Sequence, residues 1–214
     1  MTRVLLTGFE PFDDAAVNPS WQAVRLAAAS PPEGVSPATA LLPVVFGDAV
    51  ARLRAAVAES AAEVVVCVGQ AGGRPGVTVE RVAVNIDDAR IPDNAGRQPV
   101  DEPIVAGGPA AYFATLPVKA CVAAVRAAGL PAAVSHTAGT FLCNHVFYGL
   151  MHLIATERPG VRGGFVHVPY LPEQATAGDS PTLPATAIAA ALTAIVSAAV
   201  TTTTDLKVTG GSLH

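Results

Sequence analysis

The sequence is poor in the features that mark several large protein classes. Its three cysteines, at positions 67, 121 and 143, are odd in number, far apart and never spaced C-x-x-C. That pattern argues against a disulfide framework or a zinc site and for a reducing cytoplasm. Hydrophobic residues make up 51% of the chain, yet no unbroken apolar run reaches the roughly 18 residues of a membrane span. The net charge is −4 and the 13 basic residues form no run, so nucleic-acid binding has little support. Neither a P-loop nor a G-x-G-x-x-G is present. A nucleoside- or phosphate-binding module would have only the Gly72-Gly73 loop to work with. No internal repeat is found. The opening residues 1–8 are broken too soon for a signal peptide and read as a first strand.

At 214 residues the chain is long enough for one domain, spanning 1–214, with a sizeable core. Residues 3–7 read as a buried strand, followed by a loop over 8–14 that holds two phenylalanines. Loop side chains are usually exposed, so two large aromatics there are unusual. Asn18-Pro19 reads as a helix start, with Asn as N-cap and Pro at the first position, and Ser30 ends that helix. A second strand is expected over 38–46, at an edge or kinked because Pro43 lies inside it. A helix follows from Gly47-Asp48 to Ser60. The run 63–70, continuously apolar, reads as the clearest buried strand. Residues 77–86 alternate and read as a half-exposed strand or hairpin arm. Residues 87–109 read as a long surface loop. A helix is expected over 116–128, with Thr115 as cap and Gly129 as stop. The run 132–136 reads as a strand, 141–157 as a helix, 162–170 as a strand and 184–201 as an Ala-rich helix. The tail 202–214 is expected to fray. Strands alternating with helices indicate an α/β fold with a mostly parallel sheet covered on both faces, its sites at the carboxyl ends of strands.

The chemistry centres on 138–152, where a strand, a Gly-containing turn and a helix follow one another. Thr140 reads as the N-cap, which places Cys143 at the third helical position. There the free N–H groups and the dipole favour a thiolate. If the site lowers the thiol pKa to about 6, some nine-tenths is ionised at pH 7. Cys143 is therefore a candidate nucleophile, whereas Cys67 and Cys121, in apolar surroundings, read as structural. His167 sits near the carboxyl end of its strand and is a candidate base; His136 reads as a core residue or as part of the site. His145 and His152, seven apart on one helix, have no third ligand, so they read as surface residues and not as a metal pair. His214 reads as disordered. The orienting carboxylate stays open among Glu80, Glu10, Asp13, Asp14, Asp87, Asp88 and Glu173.

These residues carry a family resemblance. The segments LLTGFEPFDDAAVNPSW at 5–21, VGQAGGR at 68–74, VERVAVNIDDARIPDNAG at 79–96, QPVDEPI at 98–104, SHTAGTFLCNHVFYGLMH at 135–152 and RGGFVHVPYLPEQ at 162–174 resemble pyroglutamyl peptidase type I in order and number. The resemblance spans most of the chain. It implies a three-layer α/β/α sandwich and a cytoplasmic cysteine exopeptidase that removes an N-terminal pyroglutamyl residue from peptides, commonly a homotetramer in bacteria. It also implies that Cys143 is the nucleophile, His167 the base and Glu80 the orienting carboxylate. Phe9, Phe12 and Phe141 match ring-binding aromatics, Gln70 and Ile91 match pocket positions, and Arg90 matches a position near the oxyanion. Asp13-Asp14 departs from the glycines many relatives have there. No metal or cofactor is implied. The competing enzyme reading is a thiol acyl hydrolase acting on another small lactam or acyl group.

Overall fold

The computed structural model describes residues 1–13, 15–175 and 180–211; Asp14 and His214 lie outside the described residues. A six-stranded sheet forms the centre, in the order β2-β1-β3-β8-β4-β7. Its strands are β1 (Thr2–Phe9), β2 (Val35–Leu42), β3 (Val64–Gln70), β4 (Val77–Glu80), β7 (Ala132–Ser135) and β8 (Arg162–Val168). A short antiparallel pair, β5 (Val82–Val84) and β6 (Ala111–Phe113), lies apart from it. The helices are α1 (Pro19–Ala29), α2 (Asp48–Ser60), α3 (Val118–Ala127), α4 (Leu142–Thr156) and α5 (Ala185–Thr201).

Strand periodicity divides the core into two layers. Val4, Leu6, Val64, Val66, Val68, Val77, Val79, Val166 and Val168 pack with residues of α1, α3 and α5. Leu5, Val65, Cys67 and Phe165 pack with α2 and α4 on the other face. The continuous apolar runs are thus explained: both faces of the central strands are covered. The architecture is a three-layer α/β/α sandwich in a single domain, with a mostly parallel sheet.

The structure differs from the sequence reading at several points. Strand β2 begins at Val35 and ends before Pro43, and it is an edge strand carrying Pro37 instead. The run 77–86 is not one half-exposed strand. It breaks at Arg81 into β4, wholly buried between β8 and β7, and β5, in the separate pair. Strand β4 is antiparallel to β8 and parallel to β7. Phe9 lies in β1, not in the loop after it. The segment 87–109 is a mostly exposed loop, as expected, but it is anchored inward at a few points, with Asp87, Ala89 and Asp93 buried. The N–H of Phe46 donates to Asp93 Oδ2 at 2.9 Å.

Helix starts follow the expected chemistry at α1, where Asn18 Oδ1 accepts from the Ser20 N–H at 3.1 Å. At α3 they do not. Thr115 exchanges hydrogen bonds with Gly163, and the first turn is capped from a distance. Asp205 Oδ1 accepts from the N–H groups of Lys119 (3.1 Å) and Ala120 (2.9 Å). A carboxylate at a helix N-terminus is favoured by both the free N–H groups and the dipole. The chain after α5 is therefore tied to α3 at Asp205. Among the described residues no helix is long and apolar enough to cross a membrane. Asp205→Ala should lower stability by about 1 kcal/mol, read as a lower urea midpoint; an unchanged midpoint would show that the cap contributes nothing.

Candidate active site

The same periodicity that splits the core selects the polar residues of one face. Val77, Val79, Val166 and Val168 point to the α1–α3–α5 layer, so Thr78, Glu80 and His167 point toward α4. Gly69 pairs with His167 across β3–β8, and Thr78 pairs with His167 across β4–β8.

The nucleophile candidate arrives on α4. Gly139, with φ +76°, makes the turn before it. Phe141, in extended backbone, is the N-cap, and no side chain caps the helix. Thr140 does not serve as cap; its hydroxyl donates to the Asp88 carbonyl at 2.8 Å. Cys143 is consequently the second helical residue instead of the third, still within the first turn, where backbone N–H groups lack helical acceptors. A Cβ on Gly69 would lie 2.7 Å from Cys143 Sγ and 2.8 Å from the Phe165 ring. The sulfur therefore sits over the bare backbone of Gly69, beside the strand position that carries His167.

Glu80 is wholly buried and holds the imidazole. His167 Nδ1 donates to Glu80 Oε1 at 2.8 Å, which leaves Nε2 as the nitrogen with a lone pair. The same oxygen accepts from Arg74 Nη1 at 2.6 Å. Arg74 Nη1 also donates to Thr78 Oγ1, and Nη2 donates to the Thr137 carbonyl at 3.0 Å. Glu80 Oε2 is buried without a protein partner among the described residues.

Burial works against the charge of Glu80, but the hydrogen bond and charge of His167, the Arg74 guanidinium and the Ser135 hydroxyl outweigh it. Its carboxyl is held below the usual range. His167 is pushed down, first by burial and also by Arg74, against the pull of Glu80. The resting pair is a carboxylate and a neutral imidazole. Burial, with the Glu80 charge next, pushes the Cys143 thiol up to about 12, and Arg74 opposes this. Desolvation and the Glu80 charge thus oppose the thiolate that the helix terminus favours. Cys67 and Cys121 are buried, each also pushed up to about 12, chiefly by desolvation.

Phe9, Phe12, Gln70 and Phe141 line a small cavity together with Cys143. Asn18, Val44 and Leu142 complete its wall. It holds only ≈ 20 Å³ in this structure, about the space of one water. The Phe12 and Phe141 rings stand 6.3 Å apart, and Phe46 meets Phe141 edge-on at 5.5 Å. Larger cavities of ≈ 480 and ≈ 540 Å³ run along the edge strand β7 and do not contain Cys143. Arg90 is exposed and Ile91 half-buried, and neither is among the residues lining the cavity. Their segment is tied to the nucleophile turn nearby, where the Asp88 N–H donates to the Thr140 carbonyl at 2.9 Å.

The remaining histidines separate cleanly. His136 is exposed. His152 bonds the Tyr112 hydroxyl at 3.0 Å. His145, expected at the surface, is buried. Its Nδ1 donates to Asp87 Oδ2 at 2.8 Å, and its Nε2 accepts from the Gly47 N–H at 3.1 Å. Among the described residues no group of three or more His, Cys, Asp or Glu side chains could hold a metal ion. Of the competing carboxylates, Glu10 Oε1 accepts from Val44 N–H and the Asn94 amide and Asp87 holds His145, while Asp13, Asp88 and Glu173 are exposed. Sequence reasoning missed Arg74, whose only sequence signal is its place in the Gly-rich loop six residues before Glu80.

A family model described as pyroglutamyl peptidase matches residues 2–204. The pyrrolidone-carboxylate peptidase of Streptomyces coelicolor is 62% identical over the full length of both chains. That of Klebsiella pneumoniae is 52% identical, again over both full lengths. The crystal structure of pyroglutamyl peptidase I from Bacillus amyloliquefaciens superposes with a TM-score of 0.95 at 47% identity, covering 97% of this chain and 99% of that one. The pyrrolidone carboxyl peptidase of Thermococcus litoralis gives 0.93 at 37% identity, covering 98% of this chain and 100% of that one.

Because Arg74 lowers the thiol's pKa, Arg74→Met should move the pH at which iodoacetamide alkylates Cys143 upward. Peptide mapping at each pH checks this. An unmoved midpoint would remove Arg74 from the electrostatics of the site, and labelling of Cys67 or Cys121 should stay negligible in the folded protein.

Proposed function

The chain belongs to the pyroglutamyl peptidase family, and from that premise we propose how its own residues carry the reaction. The family's members are cysteine peptidases, and the activity is removal of an N-terminal pyroglutamyl residue from peptides. We assign Cys143 as nucleophile, His167 as base and Glu80 as the carboxylate that orients it. The observation that carries this reading is the hydrogen bond from His167 Nδ1 to the buried Glu80, with Cys143 Sγ packed over Gly69, the strand partner of His167.

As Sγ attacks the pyroglutamyl carbonyl carbon, the thiol proton passes to His167 Nε2. The C=O π bond breaks and an oxyanion forms, stabilised by first-turn N–H groups of α4 such as that of Cys143. Arg90 stands near this position in the family pattern. The intermediate collapses, the C–N bond breaks, and His167 returns the proton to the leaving amine. The product is a thioester on Cys143. Water, deprotonated by His167, hydrolyses it and restores the thiol.

Glu80 acts on this step in two opposing ways. Its charge raises the thiol pKa, which disfavours a free thiolate. It also stabilises the imidazolium that forms when the proton moves. The net effect is to tie sulfur deprotonation to proton arrival on His167, so the nucleophile is generated during attack. Because His167 is pushed down by burial, the acid limb of kcat/KM should lie below the ordinary histidine value of about 6.5.

The pyroglutamyl ring is a small neutral lactam. It suits an aromatic cleft with few polar groups better than a cluster of cations. We assign Phe9, Phe12 and Phe141 as ring-binding walls and Gln70 as a pocket residue; Ile91, outside the cavity lining, is assigned to the pocket on family likeness alone. We further read the protein as cytoplasmic and homotetrameric. Free cysteines support the first; family likeness supports the second, and sedimentation velocity tests it.

Cys143→Ala should abolish cleavage of a pyroglutamyl-amide reporter, and Glu80→Gln should lower kcat by about 10²-fold or more while the melting temperature falls little. Near-normal turnover by Cys143→Ala would sink the nucleophile assignment. A silent Glu80→Gln beside an inactive Asp87→Asn would move the orienting role to Asp87.

A further inference from the structure

Arg74 takes no part in the proton transfers between Cys143 and His167, yet it is bonded to both sides of the site. It comes from the loop between β3 and β4, and that loop is itself held. The Ala71 N–H donates to the Val168 carbonyl at 2.9 Å, and the Val77 N–H to the Pro131 carbonyl at 3.0 Å. A Cβ on Gly72 would run into the Tyr170 ring, so that ring packs on bare backbone two residues before Arg74. From this loop the guanidinium reaches in two directions. Nη1 donates to Glu80 Oε1 at 2.6 Å, the oxygen that also accepts from His167 Nδ1 at 2.8 Å. Nη2 donates to the Thr137 carbonyl at 3.0 Å. Thr137 opens the turn that delivers the nucleophile: its hydroxyl oxygen accepts from the Gly139 N–H at 3.1 Å. Among the described residues, two side chains are hydrogen-bonded to Glu80, and of these only Arg74 also bonds that turn.

We propose that Arg74 is a positioning residue for the reaction. Its forked guanidinium fastens the Glu80–His167 pair in register with the turn that carries Cys143, and its charge keeps that pair as carboxylate and neutral imidazole. This rests on Cys143, His167 and Glu80 being the reacting groups. A buried carboxylate without another counter-charge would hold a proton on the adjacent imidazole as an ion pair, and an imidazolium cannot take the thiol proton. Arg74 supplies the counter-charge at the same oxygen, and it draws both the His167 imidazole and the Cys143 thiol downward. The other titratable groups around the imidazole are Glu80 on β4, Cys143 on α4 and, on β3, Cys67, which burial pushes up to about 12. None of these can replace the lost cation. The fork matters separately from the charge, because a point charge on a flexible stem does not hold two acceptors in fixed directions.

Chemical rescue tests this. The Arg74 side chain is 23% exposed and lines a cavity of ≈ 540 Å³ with Thr78, Ser135 and Thr137, so a small ion can take its place in Arg74→Ala. With a pyroglutamyl-amide reporter, kcat of Arg74→Ala should fall by about 10²-fold while KM changes little. Its bell-shaped kcat/KM profile should move up by about one pH unit, the effect of one adjacent charge. Guanidinium chloride at millimolar concentration should restore rate and profile. Urea, planar and of the same shape but uncharged, should leave the profile displaced. Arg74→Lys, which keeps the charge without the fork, should hold the wild-type profile and still lose kcat. An Arg74→Ala variant with wild-type kcat overturns the proposal. So does a lowered kcat on an unmoved profile that guanidinium does not rescue, the mark of a merely structural role. Should Arg74→Ala fail to fold, Arg74→Lys carries the test: a lowered kcat on an unmoved profile upholds the proposal, and an unchanged kcat overturns it. A wild type unable to cleave the reporter would instead sink the reading of the reacting groups on which the proposal stands.

Discussion

A fully buried carboxylate costs several kcal/mol to desolvate unless it is paired and hydrogen-bonded, and Glu80 is such a group. Its oxygen Oε1 accepts from both His167 and Arg74. This demand explains the reversed direction of β4. Because β4 runs antiparallel to β8, the chain enters it at the end where His167 sits. Arg74, Thr78 and Glu80 then follow one another on the α4 side at increasing depth, cation toward the rim and anion inside. A parallel β4 would begin at the far end of the sheet, and the residues before it would have no route to the carboxylate. The site at the carboxyl ends of β1, β3 and β8 thus borrows its acid from a strand that breaks the parallel rule.

That arrangement also sets the charge state of the chemistry. Among the three reacting groups the only resting charge is on Glu80, which is balanced by Arg74. Burial pushes the Cys143 thiol up and His167 down, so both are biased toward their neutral forms, and the imidazole is held in one orientation by the carboxylate beneath it. The neutral ring of the substrate adds no charge to this balance, which fits a cavity walled by phenylalanines.

Much of the fold was legible because it rests on local rules. The valine run 64–68 and the Asn18-Pro19 cap announced β3 and α1, and the small-residue turn at Gly139 announced the start of the helix that carries Cys143. Apart from shifted strand ends at β1 and β2, the failures are of one kind, in which a distant partner overrides a local signal. Thr115 and Thr140 have cap chemistry, but Asp205 reaches α3 from beyond α5, and Asp88 draws Thr140 away. The alternation in 77–86 looked half-exposed because Thr78 and Glu80 are polar; they are buried because Arg74 and His167 satisfy them. Spacing left seven carboxylates in contention for the orienting role. The phase of β4 relative to β8 places Glu80 on the right face, and that phase becomes visible only once the strands are paired. Arg74 carried no pattern of its own, since it acts through side chains from another element.

The two residues after the nucleophile show the same logic at work on precision. Asn144 is fully buried, its Oδ1 accepting from the Val84 N–H and its Nδ2 donating to the Val84 and Ile86 carbonyls. His145 joins Asp87 to the start of α2 through Gly47. Two residues before the helix, Thr140 holds Asp88. The first turn of α4 is therefore gripped by the segment 84–88 and by α2, on sides that Cys143 does not use. Successive helical residues diverge by about 100°; a rotation large enough to displace the sulfur from Gly69 would break the Asn144 and His145 contacts together. The stretch after β5 looked from its composition like a surface loop. By burying Asp87 and Asp93 against α4 and the residues before α2, it holds the start of α4, and with it Cys143, in place, with His145 bridging the two.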